Sequence, residues 1–217
     1  MRFFFCGIMH DVTELLQSHA SAGRILETIE LKRLNYSDLW KILTVVGDKL
    51  NVKIQEEALI RIGQVSDGFP HYVHLIGKSM FWSMFDDPNE VTKSGPEHYR
   101  TAVTGALQRT EAALKVAYEK ATHKTRNTLD YEEALWALAD STSDKRQVSD
   151  IYDSSYKWIM LKRAGRAMLS REQLNQRYLA MRKESHAGIV AGFGSGWFAF
   201  RENIMRGYVR LRAESEG

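Results

Sequence analysis

One cysteine, Cys6, stands in a chain of 217 residues, which excludes an intrachain disulfide framework and any metal site built on paired thiolates. A lone thiol suits a reducing compartment, so the expected location is the cytoplasm. Seven histidines are present, but none pair as H-E-x-x-H, and no metal is expected. No apolar run approaches the roughly 18 residues that a membrane-spanning helix needs, so a membrane is not an expected partner. The opening MRFFFCGIM is too short for a secretory signal, and Asp11 and Glu14 follow at once. Internal repeats, low-complexity tracts, a nucleophile elbow and acids paired at a telling spacing are all missing. A phosphate loop is missing too. Ile76-Gly77-Lys78-Ser79 ends as such a loop ends, but the pattern is G-x-x-x-x-G-K-[ST], and Tyr72 stands where the first glycine belongs.

What is there belongs to an ordinary folded protein, 44% hydrophobic and 26% charged, long enough for one or two domains with true cores. The formal net charge of +3 hides an uneven spread. Residues 157–183 carry Lys157, Lys162, Arg163, Arg166, Arg171, Arg177, Arg182 and Lys183 against one acid, Glu172.

Periodicity sets out the elements. Residues 2–9 read as a buried strand, and a core strand needs sheet neighbours, so the expectation is that something once preceded it. A helix over 10–26 and a short alternating strand over 27–34 follow. Ser37 is the expected N-cap of a helix carrying Leu39, Trp40, Ile42, Leu43 and Val46. The next helix carries Ala58, Leu59 and Ile62 and ends near Gly68. Pro70 opens another, with Val73, Ile76, Gly77, Met80 and Met84 on one stripe. That places Gly77 and Lys78 mid-helix, their amides already bonded. Residues 86–95 form a loop by composition, and 96–124 read as one long helix. A domain boundary is expected near residue 125. Beyond it come helical patterns at 130–140, 147–164 and 170–185. A glycine-tipped β-hairpin follows over Ile189–Phe200, then a basic helix.

Helices followed by a two-stranded hairpin give the winged-helix order, in which the third helix enters the major groove and the hairpin meets neighbouring phosphates. The third helix offers Arg171, Gln173, Asn175, Gln176, Arg177 and Arg182, with Lys183 just beyond. These side-chain types neutralise phosphate or pair with base edges. The same helix is equally the solvated face of a winged helix that only contacts protein. Arg24, between a helix end and a strand, is placed to reach a phosphate in a neighbouring subunit or simply to cover apolar neighbours. His71 and His74 share a helix face without a third metal ligand. A Gly-x-Pro turn such as Gly68-Phe69-Pro70 can set backbone amides near a phosphate, though it also occurs in ordinary helix–helix turns.

Taken in order, RFFFCGIMHDV, SHASAGRILETIELKRLNYSDLWKIL and VSDGFPHYVHLIGK resemble the end of an AAA+ ATPase core and its helical lid. The likeness is to the branch that includes origin-recognition and STAND-type ATPases. It implies a mainly α chain in three parts: a remnant of an α/β ATPase core (1–34), a helical-bundle lid (35–125) and a C-terminal winged-helix domain (126–217). It also implies Arg24 as a trans phosphate contact of the catalytic site. Gly68, Pro70 and His71 would lie on the lid side of a nucleotide, and Arg171, Gln173, Arg177, Arg182 and Lys183 on DNA. The parent would bind ATP or ADP with Mg²⁺ and work with other subunits or a protein partner. The lid would swing at the Gly68–Pro70 turn and reposition the winged helix. The departures are equally plain. Walker A and Walker B are absent, His71 stands near the place of the sensor 2 arginine, and Cys6-Gly7 ends the sensor 1 strand. No ATPase activity or cofactor is therefore expected of this chain alone. A stand-alone DNA-binding adaptor and a protein-interaction module remain alternatives.

Overall fold

The computed structural model describes residues 32–123 and 128–216. Backbone contacts divide the chain into Met1–Arg33 and Leu34–Gly217. The strand expected at 2–9, the helix at 10–26, most of the strand at 27–34, Arg24 and the boundary near 125 lie outside the described residues. The second unit is mainly helical with a small three-stranded sheet.

Its first helix, α1 (Tyr36–Leu50), is capped by Asn35, whose side chain accepts the Asp38 N–H at 2.9 Å. Ser37, the expected cap, instead donates its hydroxyl to Asn35. The asparagine wins because its backbone is still extended where Ser37 is already helical. Helix α2 (Glu56–Ser66) ends with Asp67 and Gly68 at φ 53° and 81°, and Pro70 starts α3 (Pro70–Phe85). Val73, Ile76, Gly77, Met80 and Met84 are buried as one stripe, as their spacing predicts. A Cβ on Gly77 would lie 2.2 Å from Leu43 Cδ2, so Gly77-Lys78 serves helix packing.

The loop over 86–95 is held at both ends. Lys53 N–H donates to Thr92 O, and Ser94 N–H returns to Lys53 O, both at 2.8 Å. Its exit is clasped by His98, which accepts the Gly95 N–H and reaches Asp87 at 3.0 Å. The single helix expected over 96–124 is two: α4 (Pro96–Arg109) and α5 (Ala112–Thr122). Thr110 leaves helical space at ψ 147°, its hydroxyl bonded back to Ala106 O. The break lets both halves bury a face, Tyr99, Ala102, Val103 and Ala106 before it and Leu114, Tyr118 and Ala121 after it. Uninterrupted periodicity in the sequence hid it, because a β-branched threonine only weakly disfavours helix.

Helix α6 (Thr128–Ala139) is buried at every position from Asp130 to Ala139, the mark of a central helix. Strand β1 (Arg146–Gln147) leads into α7, built from Val148–Asp150, a wider π-type stretch Ile151–Tyr156, and Lys157–Leu161. Helix α8 (Arg171–Met181), a short 3₁₀ turn Glu184–His186, β2 (Val190–Gly192), β3 (Trp197–Phe200) and α9 (Asn203–Glu216) complete the chain. The hairpin is where the sequence predicts it. Strand β1 is an addition to that expectation, pairing antiparallel with β3 in the order β1-β3-β2. Two residues carry too little pattern to be read beforehand.

One apolar cluster runs from Leu39 through Ile76, Tyr118, Leu135 and Tyr178 to Leu211, so the helices before and after residue 125 share a core. Helix α9, the basic helix expected at the end of the chain, is folded into that core: Arg206 is 2% exposed. It fastens elements far apart in sequence. Tyr72 donates its hydroxyl to Ile204 O, and a Cβ on Gly207 would meet the Tyr72 ring at 2.2 Å. Tyr99 and Arg61 both reach Glu214.

Candidate functional site

Helix α8 begins with a reciprocal cap: the Ser170 hydroxyl accepts the Gln173 N–H, and the Gln173 side chain accepts the Ser170 N–H. Leu174, Tyr178 and Met181 point inward, and the Tyr178 hydroxyl donates to Ala134 O at 2.8 Å. Desolvation pushes that phenol well above its ordinary range, so it stays a neutral donor. The inward stripe fixes which residues of α8 face out.

The five residues expected on DNA fall in three places. Arg171 is exposed at the N-terminus of α8, and Glu172 lies 3.8 Å away. The Glu172 carboxyl is held below its ordinary range, first by its own backbone N–H and then by the Ser170 hydroxyl. An anion is thus already built into the end of the helix that would otherwise favour a phosphate. Gln173 spends its side chain on the cap. Arg177 turns inward, donating to Asp130 at 2.9 Å and lying 5.2 Å from the Tyr131 ring centroid. Arg166 joins it on Asp130 and also grips Glu133, whose hydrogen bond is the main reason its guanidinium is held above the ordinary arginine range. Arg163 reaches Glu133 as well. Three residues of the basic run therefore neutralise α6 from within.

Arg182 and Lys183 are exposed at the other end of α8. They line a cleft of about 690 Å³ together with Gln176, Leu179, β2 and Arg201. The Arg182 guanidinium lies against the backbone of β2, in space a Cβ on Gly192 would enter at 2.7 Å. Arg201 follows β3, its N–H bonded to Ile189 O at 2.8 Å, so the sheet carries it to the rim. Sequence reading missed Arg201; the signal was its place directly after the alternating Trp197–Phe200 run. What the cleft offers is two arginines, a lysine and an amide on a framework of helix and sheet. That set suits a phosphate with an acceptor beside it.

The Gly68–His71 turn is built for packing. Gly68 O accepts the Leu34 N–H at 2.9 Å, Phe69 N–H donates to Ser66 O at 2.8 Å, and Pro70 has no N–H to give. Arg206 and Arg210 close on Asp67, just ahead of the turn. His71 is exposed, edge-on to the Tyr72 ring at 5.0 Å. The Phe69 amide is thus engaged within the turn, and the Asp67 carboxylate stands just ahead of it.

An apolar groove between α1 and α3 is a second concavity, lined by Ile42, Val46, Leu50, Phe81, Trp82 and Phe85 among others. Among the described residues no cluster of three or more His, Cys, Asp or Glu is arranged to hold a metal, and no helix is long and apolar enough to cross a membrane. No family model matches the chain, and neither a curated protein nor a solved structure does.

Proposed function

We propose that residues 128–201 form a winged helix that binds nucleic acid through the Arg182–Lys183–Arg201 cleft. In this reading the chain is the lid and winged-helix portion of an AAA+ or STAND-like ATP-binding protein. The element order α6-β1-α7-α8-β2-β3 and the sheet order β1-β3-β2 support the winged-helix part. The observation that carries the binding reading is the cleft itself, where exposed cations from α8 and from the hairpin converge on one surface. The contact shifts from the N-terminal half of α8, where Glu172 sits, to its C-terminal end. Arg171 is a peripheral cation, and Arg177 is part of the scaffold.

The nucleotide half of the reading changes as well. The Gly68–Pro70 turn is not a free hinge, because α9 holds Asp67 before it and Tyr72 after it. A nucleotide-driven motion would carry residues 34–216 as one body, and the groups that grip phosphate would lie elsewhere in the parent.

The test is fluorescence anisotropy with a short DNA duplex across a salt series. Binding should weaken as salt rises, and Arg182→Ala with Lys183→Ala should lower both the affinity and the slope of log K against log salt, by about one for each phosphate no longer neutralised. Affinity that is flat with salt turns the reading towards a protein-binding adaptor, for which the groove with Trp82 and Phe85 is the surface to examine. An in-frame Walker A and Walker B in the codons upstream of Met1 would support the ATPase parent, and ATP binding by the correspondingly extended protein would test it.

A further inference from the structure

We propose that the tip of the β2–β3 hairpin is a stacking platform for an unpaired nucleobase, so that the protein favours a duplex with a single-stranded extension over closed duplex. This rests on the nucleic-acid reading above and names the substrate class more narrowly. Phe193 and Trp197 flank the turn Gly194-Ser195-Gly196 and are 52% and 41% exposed. The pairing of Gly192 with Phe198 sets them opposite one another on the outer face of the hairpin, while Val190, Phe198 and Phe200 supply the buried face. Two large rings held in water forgo the stabilisation that burial brings to such side chains.

The tip is rigid. Phe193 N–H donates to Trp197 O at 3.0 Å and Trp197 N–H to Gly194 O at 2.9 Å. Gly196 O accepts the Val148 N–H at 2.8 Å, and β3 is paired on both sides. The turn passes through three successive left-handed residues, at φ 82°, 46° and 75°, and the middle one is a serine, a costly conformation outside glycine. Local order of this kind spares a ligand the entropy of arranging the rings.

A cation identifies the partner. Lys145 Nζ lies 4.1 Å from the Phe193 ring centroid, so an ammonium group sits on one face of a ring that remains 52% exposed. Gly192, the residue before Phe193, floors the cleft under Arg182. Side chains alternate across a strand, so Arg182 lies on the Gly192–Phe198 face and the two rings on the other, and Lys145 is the cation that stands beside the exposed aromatic face. A sugar–phosphate backbone with a base turned out of its stack presents the same two chemistries, a phosphate for Lys145 and a π-face for Phe193.

The test uses the full chain and three DNA probes: a duplex closed at both ends by loops of non-nucleotide linker, the same duplex with a single-stranded extension, and the single strand alone. The extended duplex should bind about fivefold or more tighter than the closed one, the range expected for stacking of one base on an aromatic side chain. Phe193→Ala and Trp197→Ala should each erode that preference and leave affinity for the closed duplex unchanged. Phe193→Leu keeps the apolar bulk without the π-face and should lose the preference as well, which covers the case in which an alanine variant folds poorly. With 2-aminopurine at the first unpaired position, its fluorescence should be quenched by the wild type and not by Phe193→Leu. Salt-dependent binding with equal affinity for closed and extended duplex overturns the platform and leaves the nucleic-acid reading standing. Failure to bind any of the probes overturns both.

Discussion

Arg177, in the C-terminal half of α8, and Arg182, its C-cap, are used by the fold in opposite ways. Arg177 faces α6, where Asp130 accepts its hydrogen bond and Tyr131 underlies its guanidinium. Arg182 lies across the glycine backbone of β2 at the wall of an open cleft. The same division separates α9 from the hairpin: Arg206 and Arg210 close on Asp67 inside the molecule, while Arg201 borders solvent. Positive charge in the sequence is thus no measure of positive surface. Arginines whose partners are buried acids hold the fold together, and those carried to the cleft by the ends of α8 and the sheet face solvent.

Substitutions can break that comparison, and the deepest pair should respond most. Arg206 is 2% exposed and bound to Asp67, Asp144 and the Ser143 carbonyl. Arg206→Ala leaves the Asp67 carboxylate with less compensation and should lower stability by roughly 3–5 kcal/mol, read from the urea midpoint. The neighbouring Gly207→Ala places a methyl group against the Tyr72 ring and should cost about 1–3 kcal/mol by overpacking. Its effect should add to a change at Arg182, since distant sites rarely couple.

Arg166→Ala comes next. Asp130 keeps Arg177 and Glu133 keeps Arg163, so the loss should be about 1–3 kcal/mol, with duplex affinity unaltered after correction for folded fraction. Arg182→Ala should behave in the reverse sense, changing stability by no more than about 0.5 kcal/mol while weakening DNA binding. If Arg166→Ala weakened binding and Arg182→Ala did not, the assignment of inward and outward arginines would be inverted.

The half-buried clasp at Asp87 sets the lower end of the scale. Its carboxyl is held below the ordinary range, first by the Asn89 N–H and then by His98. A carboxyl lowered by folding stabilises the folded state above its unfolded value of about 4, and that contribution fades as pH falls through the folded value. The protection factor of the Gly95 amide, which allows for the slower intrinsic exchange at low pH, should therefore fall in acid before those of the α3 amides do.

Much of the local structure was legible beforehand for physical reasons. The apolar stripe of α3, the proline at its first turn and the glycine-tipped hairpin each depend on neighbours close in sequence, and each stands as periodicity and turn chemistry predict. The Thr110 break and the two-residue β1 were not, since the first depends on which faces α4 and α5 find to bury and the second on a strand some fifty positions on. The candidate site was half legible. Arg182 and Lys183 were visible as cations on an outward face, but Arg201 joins them only through the pairing of β3 with β2.

The amino-acid order by itself determined where most of the helical segments lie, which side chains line the inner stripe of α3, and that basic residues gather between 157 and 183. Tertiary structure alone decided which of those charges are spent. Asp130 and Glu133 lie more than 25 positions before the arginines that neutralise them, and Asp67 more than 130 before Arg206. No pattern along the chain marks such pairs, because a buried charge takes whichever opposite charge packing brings within reach, and proximity in space is what a sequence leaves unstated.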